Sequence, residues 1–276
     1  MVDRAPKLGI LAGAGALPGR LIDACRETRR EFFFVGFEGI ASADDIAGSA
    51  HQWVSLGAVN RTITLLHEAG VEEVVLAGAV ARPSLRNMRL DGRARKLLMG
   101  IATAAGDNSL LSLLVKELEG EGFRVVGVDD ILTDLRAPLG SIGSFAPDQD
   151  AWADIAVAAR AVRALGALDI GQAAIAQQGE VLGVEAAEGT DALLARCADL
   201  SRDGPGGVLV KLSKPGQERR ADLPTIGPHT VEGARRAGLR GIAVEAANSL
   251  VVDRAEVAAA ADAAGLFVVG ISADGE

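Results

Sequence analysis

Six ionisable side chains crowd into one short stretch: Lys211, Lys214, Glu218, Arg219, Arg220 and Asp222. An apolar run, Val208-Leu209-Val210, leads into it, and a helical pattern from Thr230 follows it. Pro215-Gly216 and Gly227-Pro228 are turn signals that keep the charges close. Strand end, charged loop and helix start is where open α/β sheets place ligands. Cations beside a carboxylate suit a phosphate with a divalent metal. A solvated loop with ion pairs accounts for the charge clustering equally well.

Three further segments carry candidate chemistry. Glu185, Glu188 and Asp191 put three carboxylates within seven residues at another strand-to-helix junction. Thr190 or Asp191 reads first as the helix N-cap. Unpaired, the three carboxylates repel, so Mg²⁺ or a nearby lysine would relieve them. Gly13-Ala14-Gly15-Ala16-Leu17-Pro18-Gly19 turns a strand into a helix. Such a turn can bring a phosphate to the backbone and the positive helix end, although a tight turn needs small residues anyway. Compared with a dinucleotide fingerprint, its third glycine comes one residue late. The segment from Gly78 through Val80 to Arg82 follows another strand, and Asp107 stands where it would cap a helix.

Other chemistries are absent. His51, His67 and His229 are not at zinc-site spacing, and no CxxC, GxSxG or GxxxxGK[ST] motif occurs. His229 reads as a helix-start residue before it reads as a proton shuttle. The remaining inventory of carboxylates, lysine and arginine fits metal-assisted phosphoryl chemistry with water as nucleophile.

The elements that must position these groups alternate. Apolar runs at 7–12, 32–36, 52–56, 74–78 and 125–128 read as strands, with helices at 19–29, 58–69, 93–104 and 108–119 between them. This pattern predicts a doubly wound, Rossmann-like parallel sheet over residues 1–133. Residues 134–150, rich in Pro and Gly, read as a linker containing Ser141 and Ser144. Residues 151–276 read as a second, mixed α/β domain, its sheet smaller and partly antiparallel, with a hairpin around Gln177-Gln178-Gly179-Glu180.

Composition narrows the partners. The 276 residues carry a net charge of −9, 3% aromatics and no Tyr. That balance excludes indiscriminate attraction to DNA and supplies no stacking platform for single strands. Residues 82–96 run against it, with six basic residues and only Asp91 opposing them. They read either as a solvated basic face or as a landing site for a phosphorylated or membrane-resident substrate. Peripheral membrane contact and a homodimer are both compatible with that. Two cysteines, Cys25 and Cys197, fit a reducing cytoplasm, and no signal peptide or stretch of about 20 apolar residues occurs.

The stretch VKLSKPGQERRADLPTIGPHT, taken with LGILAGAGALP, GAVARPS, LDIGQAAIAQQGEVLGVEAAEGTDALL and GIAVEAANSLVVDR, resembles the UDP-2,3-diacylglucosamine pyrophosphatase family of the LpxI type. The pieces come in the family's order over nearly the whole chain. The resemblance implies a lipid A pathway hydrolase of Gram-negative bacteria that yields lipid X and UMP and needs Mg²⁺ or Mn²⁺. It also implies two α/β domains with the substrate between them, and it makes Asp222 the catalytic aspartate. Around that core, Asp191 with Glu188 or Glu185 is the expected second carboxylate source, so Asp222 and Asp191 are the expected metal ligands. Lys211 and Lys214 are expected to offset phosphate charge, with Arg220 a further candidate. Gly13, Gly15, Ala16, Leu17, Gly78, Val80, Arg82, Asp107, Glu188, Thr190, Gln217 and Thr225 complete the expected substrate contacts. Two rivals stand beside this reading. A nicotinamide-dependent oxidoreductase has the late glycine and the missing Tyr against it. A non-catalytic nucleotide-sugar or lipid-binding module would bind without cleaving.

Overall fold

The computed structural model describes residues 4–42, 46, 48–80, 89–101 and 107–272, with the side chains at 100–101 and 107–109 outside that description. Arg82 and the Asp107 side chain therefore lie outside the described residues, as do residues 82–88 of the basic stretch. The chain divides into two compact units: residues 1–133 with 218–222, and residues 134–217 with 223–276.

The first unit is built on strands β1 (Leu8–Ala12), β2 (Phe32–Phe37), β3 (His51–Val54), β4 (Glu73–Ala77) and β5 (Arg124–Val126). They form one sheet in the order β3-β2-β1-β4-β5, and every pair is parallel. Helices α1 (Leu17–Glu27), α2 (Val59–Glu68), α3 (Gly92–Ile101), α4 (Asp107–Gly120) and α5 (Val128–Ile131) are interspersed with them, α3 and α4 both falling between β4 and β5 and none, among the described residues, between β2 and β3. Central strands of a parallel sheet are covered on both faces, and β1 is buried at all five positions. Pro18 lies in the first turn of α1, where no N–H is needed. The expected strand at 125–128 stops at Val126. Gly127 donates its N–H to the Asp130 carboxylate at 2.9 Å, and this local bond starts α5 instead.

The second unit adds β6 (Gly140–Ile142), α6 (Gln149–Ala167), β7 (Ala173–Gln177), β8 (Glu180–Val184), α7 (Gly189–Cys197), β9 (Val208–Lys211), β10 (Thr225–Ile226), α8 (Pro228–Arg236), β11 (Gly241–Glu245), β12 (Leu250–Val251), α9 (Arg254–Ala264) and β13 (Phe267–Ile271). Six strands form a mixed sheet in the order β6-β13-β11-β9-β7-β8, and β10 pairs with β12 separately. Among the described residues this sheet has more strands than that of the first unit, contrary to the expectation of a smaller sheet, and it is partly antiparallel as expected. The stretch expected as a linker contributes β6, whose Ile142 lies opposite Val268. A three-residue edge strand has too few side chains to show a period, so its pairing decides it.

Alternate side chains of the second sheet feed two cores. Ile175, Leu209, Ile242 and Val268 pack with Leu194, Val231 and Val257 of α7, α8 and α9. Ala174, Val208, Val210, Ala243 and Val269 pack on the other face with Ala151, Ile155, Ala158 and Val162 of α6. Alanines on α6 let it lie close to the sheet. Asp148 caps that helix by accepting from the Ala151 N–H at 2.8 Å.

Candidate active site

The direction of the strands in the second unit decides which side chains meet. β9, β11 and β13 are parallel, β7 is antiparallel to β9, and β8 is antiparallel to β7. Two reversals restore direction, so β8, β9, β11 and β13 all end on the same sheet edge. Three charged residues stand there, Glu185 just past β8, Lys211 closing β9 and Glu245 closing β11, and all three are buried. Buried charges demand partners, and each has them. Glu185 accepts the Thr190 hydroxyl at 2.5 Å and the Gln172 N–H at 3.0 Å. The Lys211 ammonium donates to Thr190 Oγ1 at 2.9 Å and to the Thr225 carbonyl at 3.1 Å. Glu245 accepts from the Ser213 N–H at 2.9 Å, from the Ser213 hydroxyl at 2.6 Å and from Asn248 at 2.6 Å.

Thr190 thus stands between a buried ammonium and a buried carboxylate. It does not cap α7, and neither does Asp191. The helix begins at Gly189, with Glu188 in the cap position and no side-chain cap bond. The three clustered carboxylates also part company. Glu188 accepts from Arg196 at 3.1 Å, and it is held below the usual carboxylate range first by a backbone hydrogen bond and then by Arg196. Asp191 is exposed, with its Oδ1 3.5 Å from His229 Nδ1. Glu185 reaches a lysine, Lys211, through the Thr190 hydroxyl.

The loop after β9 is braced at several points. The Lys214 ammonium pairs with Asp169 at 2.7 Å, and its backbone N–H donates to Gln217 Oε1 at 2.8 Å. Gln217 reaches on to Gln172 at 3.4 Å. Residues 218–222 belong with the first unit, where Ala221 packs against the cluster containing Val115 and Leu118. Arg220 grips Glu218 through Nε at 2.8 Å and Nη2 at 2.9 Å, and Glu119 through Nη1 at 2.5 Å. The Glu218 hydrogen bonds raise the Arg220 pKa further, and Arg220 in turn lowers that of Glu218. Asp222 is half-buried, and its N–H donates to the Glu218 carbonyl at 2.9 Å. Thr225 turns its hydroxyl onto the Leu223 carbonyl at 3.0 Å.

In the first unit the sheet order changes sense between β1 and β4, which is where open α/β sheets carry their ligand crevice. The loops leaving these strands are tied together here. Ala14 and Ala79 exchange two backbone hydrogen bonds of 2.8 Å each. A Cβ on Gly13 would lie 2.5 Å from the Ala79 carbonyl oxygen, and one on Gly78 would lie 2.5 Å from that of Ala14. The approach of one loop to the other is therefore enough to require both glycines. Gly15 differs: its φ of +98° is a glycine conformation, but the space around it is open. Gly15 and Ala16 are exposed, Leu17 is half-buried and opens α1, and Val80 is exposed.

Among the described residues, no three His, Cys, Asp or Glu side chains gather as a metal cage. Mg²⁺ commonly takes one or two carboxylates, waters and substrate phosphates instead. A half-buried aspartate such as Asp222 fits that mode. Asp169, Glu245 and Ser213 escaped the sequence reading. A strand ending in glutamate, GIAVE, was the available signal for Glu245.

Comparison with known proteins covers both units. The family model for the LpxI N-terminal domain matches residues 7–135, and that for the LpxI C-terminal domain matches residues 138–269. The chain is 42% identical over 275 residues to the UDP-2,3-diacylglucosamine pyrophosphatase LpxI of Caulobacter vibrioides, covering 96% of this chain and 97% of that one. Among solved structures, the biotin carboxylase subunit of pyruvate carboxylase matches at 13% identity and a TM-score of 0.28, over 62% of this chain and 34% of that one. The biotin carboxylase domain of Hydrogenobacter thermophilus 2-oxoglutarate carboxylase matches at 12% identity and a TM-score of 0.29, over 70% and 40%. Likenesses that low carry no argument about this fold or its chemistry.

Proposed function

The chain belongs to the LpxI family, and on that premise we propose that it hydrolyses the pyrophosphate bond of UDP-2,3-diacylglucosamine in lipid A biosynthesis. Water adds to one phosphorus, the bridging oxygen leaves with the other phosphate, and the products are UMP and 2,3-diacylglucosamine 1-phosphate. The relative's name, at 42% identity over nearly both whole chains, is the observation that carries this reading.

Asp222 is the carboxylate we assign to the reaction, orienting the attacking water. A divalent ion such as Mg²⁺ or Mn²⁺, held by Asp222 together with phosphate oxygens, would neutralise charge on the pyrophosphate and polarise it for attack. Lys214 and Arg220 are the cations offered to the phosphates. Each already holds a carboxylate, Asp169 for one and Glu218 with Glu119 for the other. A phosphate oxygen would take the carboxylate's place in the same charge-assisted geometry. Both cysteines are free and buried, which supports a reducing cytoplasm as the place of the reaction.

The test is UMP release from UDP-2,3-diacylglucosamine by the purified chain. Release with Mg²⁺, its loss in EDTA and its return on adding Mg²⁺ or Mn²⁺ are the expected results. Retention of intact substrate through long incubation with metal would point to a binding module. Undiminished release in chelator would keep the hydrolase and remove the ion.

A further inference from the structure

β10 is two residues long and has one strand partner among the described residues, β12. Carbonyls along a strand point alternately to either side. The Pro224 and Ile226 carbonyls face β12 and accept from the Leu250 N–H at 2.8 Å and the Val252 N–H at 2.9 Å. The Thr225 carbonyl therefore points away from β12, toward a side where, among the described residues, no strand pairs with β10. The Lys211 ammonium takes that place at 3.1 Å. Lys211 is only 5% exposed, and its charge is answered through Thr190 by Glu185, itself 6% exposed.

We propose that Lys211 is a positioning residue, a buried ammonium that stands in for a missing strand and fixes residues 223–226 through the Lys211–Thr190–Glu185 chain. The next residue toward the N-terminus is Asp222, so the anchor sets where the reacting carboxylate's backbone begins. That last step rests on the hydrolase reading above; the anchor itself does not. Expressed as chemistry, the ammonium donates to a hydroxyl and a peptide carbonyl, and its effect on the reaction passes through the backbone.

Two variants test it, each with a control. Lys211→Met keeps the chain length and removes the charge. Thr190→Val keeps the shape and removes the hydroxyl, while Thr190→Ser keeps the hydroxyl. Amide hydrogen exchange followed by mass spectrometry, without substrate, reads the anchor directly. Exchange across residues 223–226 should quicken by about tenfold or more in Lys211→Met and Thr190→Val, and stay near wild type in Thr190→Ser. In UMP release, both disruptive variants should lose kcat with KM held, and the double variant should be no worse than the poorer single one. Unchanged exchange in either disruptive variant overturns the proposal, as does a rise in KM with kcat intact in Lys211→Met. If Lys211→Met does not fold, the Thr190 pair decides alone. Wild-type protein that releases no UMP would sink the hydrolase reading and leave the exchange result standing.

Discussion

An asparagine at position 222 would keep the shape of the side chain and remove only its charge, so it separates chemistry from packing. Asp222→Asn should lower kcat by at least about a hundredfold, the scale expected when a group aimed at developing charge is lost. Substrate affinity, measured calorimetrically, should hold within a few fold. Near-normal UMP release from a folded Asp222→Asn protein would take Asp222 out of the reaction. The same residue scale shows what the sequence concealed. Asp222 is proposed on a recognisable run of residues, VKLSKPGQERRADLPTIGPHT, and not on its own surroundings. Thr190 could not be read correctly, since a threonine just before a helix looks like a cap. Only the fold brings Lys211, 21 positions away, within 2.9 Å of its hydroxyl. The ion pair of Arg220 with Glu218 falls within the stretch, where a loop with ion pairs was one of the two readings, but the pairs to Asp169 and Glu119 were not legible, because they lie 45 and 101 positions distant.

Elements were easier to foresee where local chemistry fixes them. The hairpin between β7 and β8 turns on Gln178 and Gly179, both with positive φ, at 53° and 79°. Those are the values a tight hairpin turn requires, and the Gln-Gly pair announces it. β6 gave no such notice, because it exists only as a partner for β13. The glycine-rich turn after β1 falls between these cases. Its strand-to-helix geometry was plain, but the reason for its first glycine, Gly13, was not, nor was that for Gly78 in the loop after β4. Gly13 and Gly78 meet each other's loops, so alanine at either should cost about 1–3 kcal/mol of stability through overpacking. Gly78→Ala should be the worse of the two, because its φ of +90° adds backbone strain. Urea unfolding curves read this directly. A stability loss at Gly13 much under that range would free the residue for another role, such as contact with a nucleotide.

At the scale of the whole molecule, the shifted groups bound a pH range. Glu218 and Glu232 are both held below their ordinary value of 4.5. Hydrogen bonds from Arg220 hold down the first, and those from Arg235 and Arg236 bring the second to about 2. A depressed carboxylate contributes stability above its unfolded pKa and loses it as pH falls through the folded one. Burial pushes both thiols above their ordinary value of 9.0. A raised thiol pKa contributes stability below the unfolded value and loses it as pH climbs through the folded one. Calorimetric scans should therefore show a plateau in Tm between these limits and a fall on either side. Glu218 is partly exposed and Glu232 is exposed, so the acid-side slope should be shallow and should flatten further with salt. A Tm that stays level well below pH 4.5 would refute the acid limb.

The placement of residues 218–222 with the first unit also bears on how the protein is made. A ribosome delivers the chain from its N-terminus, so the five-residue piece that finishes the first unit emerges only after β9 of the second. Until then Glu119 waits for Arg220, and the patch that receives Ala221 stays uncovered. Neither half is a self-contained product of its own stretch of message: the nascent first half is completed by a late graft from the second.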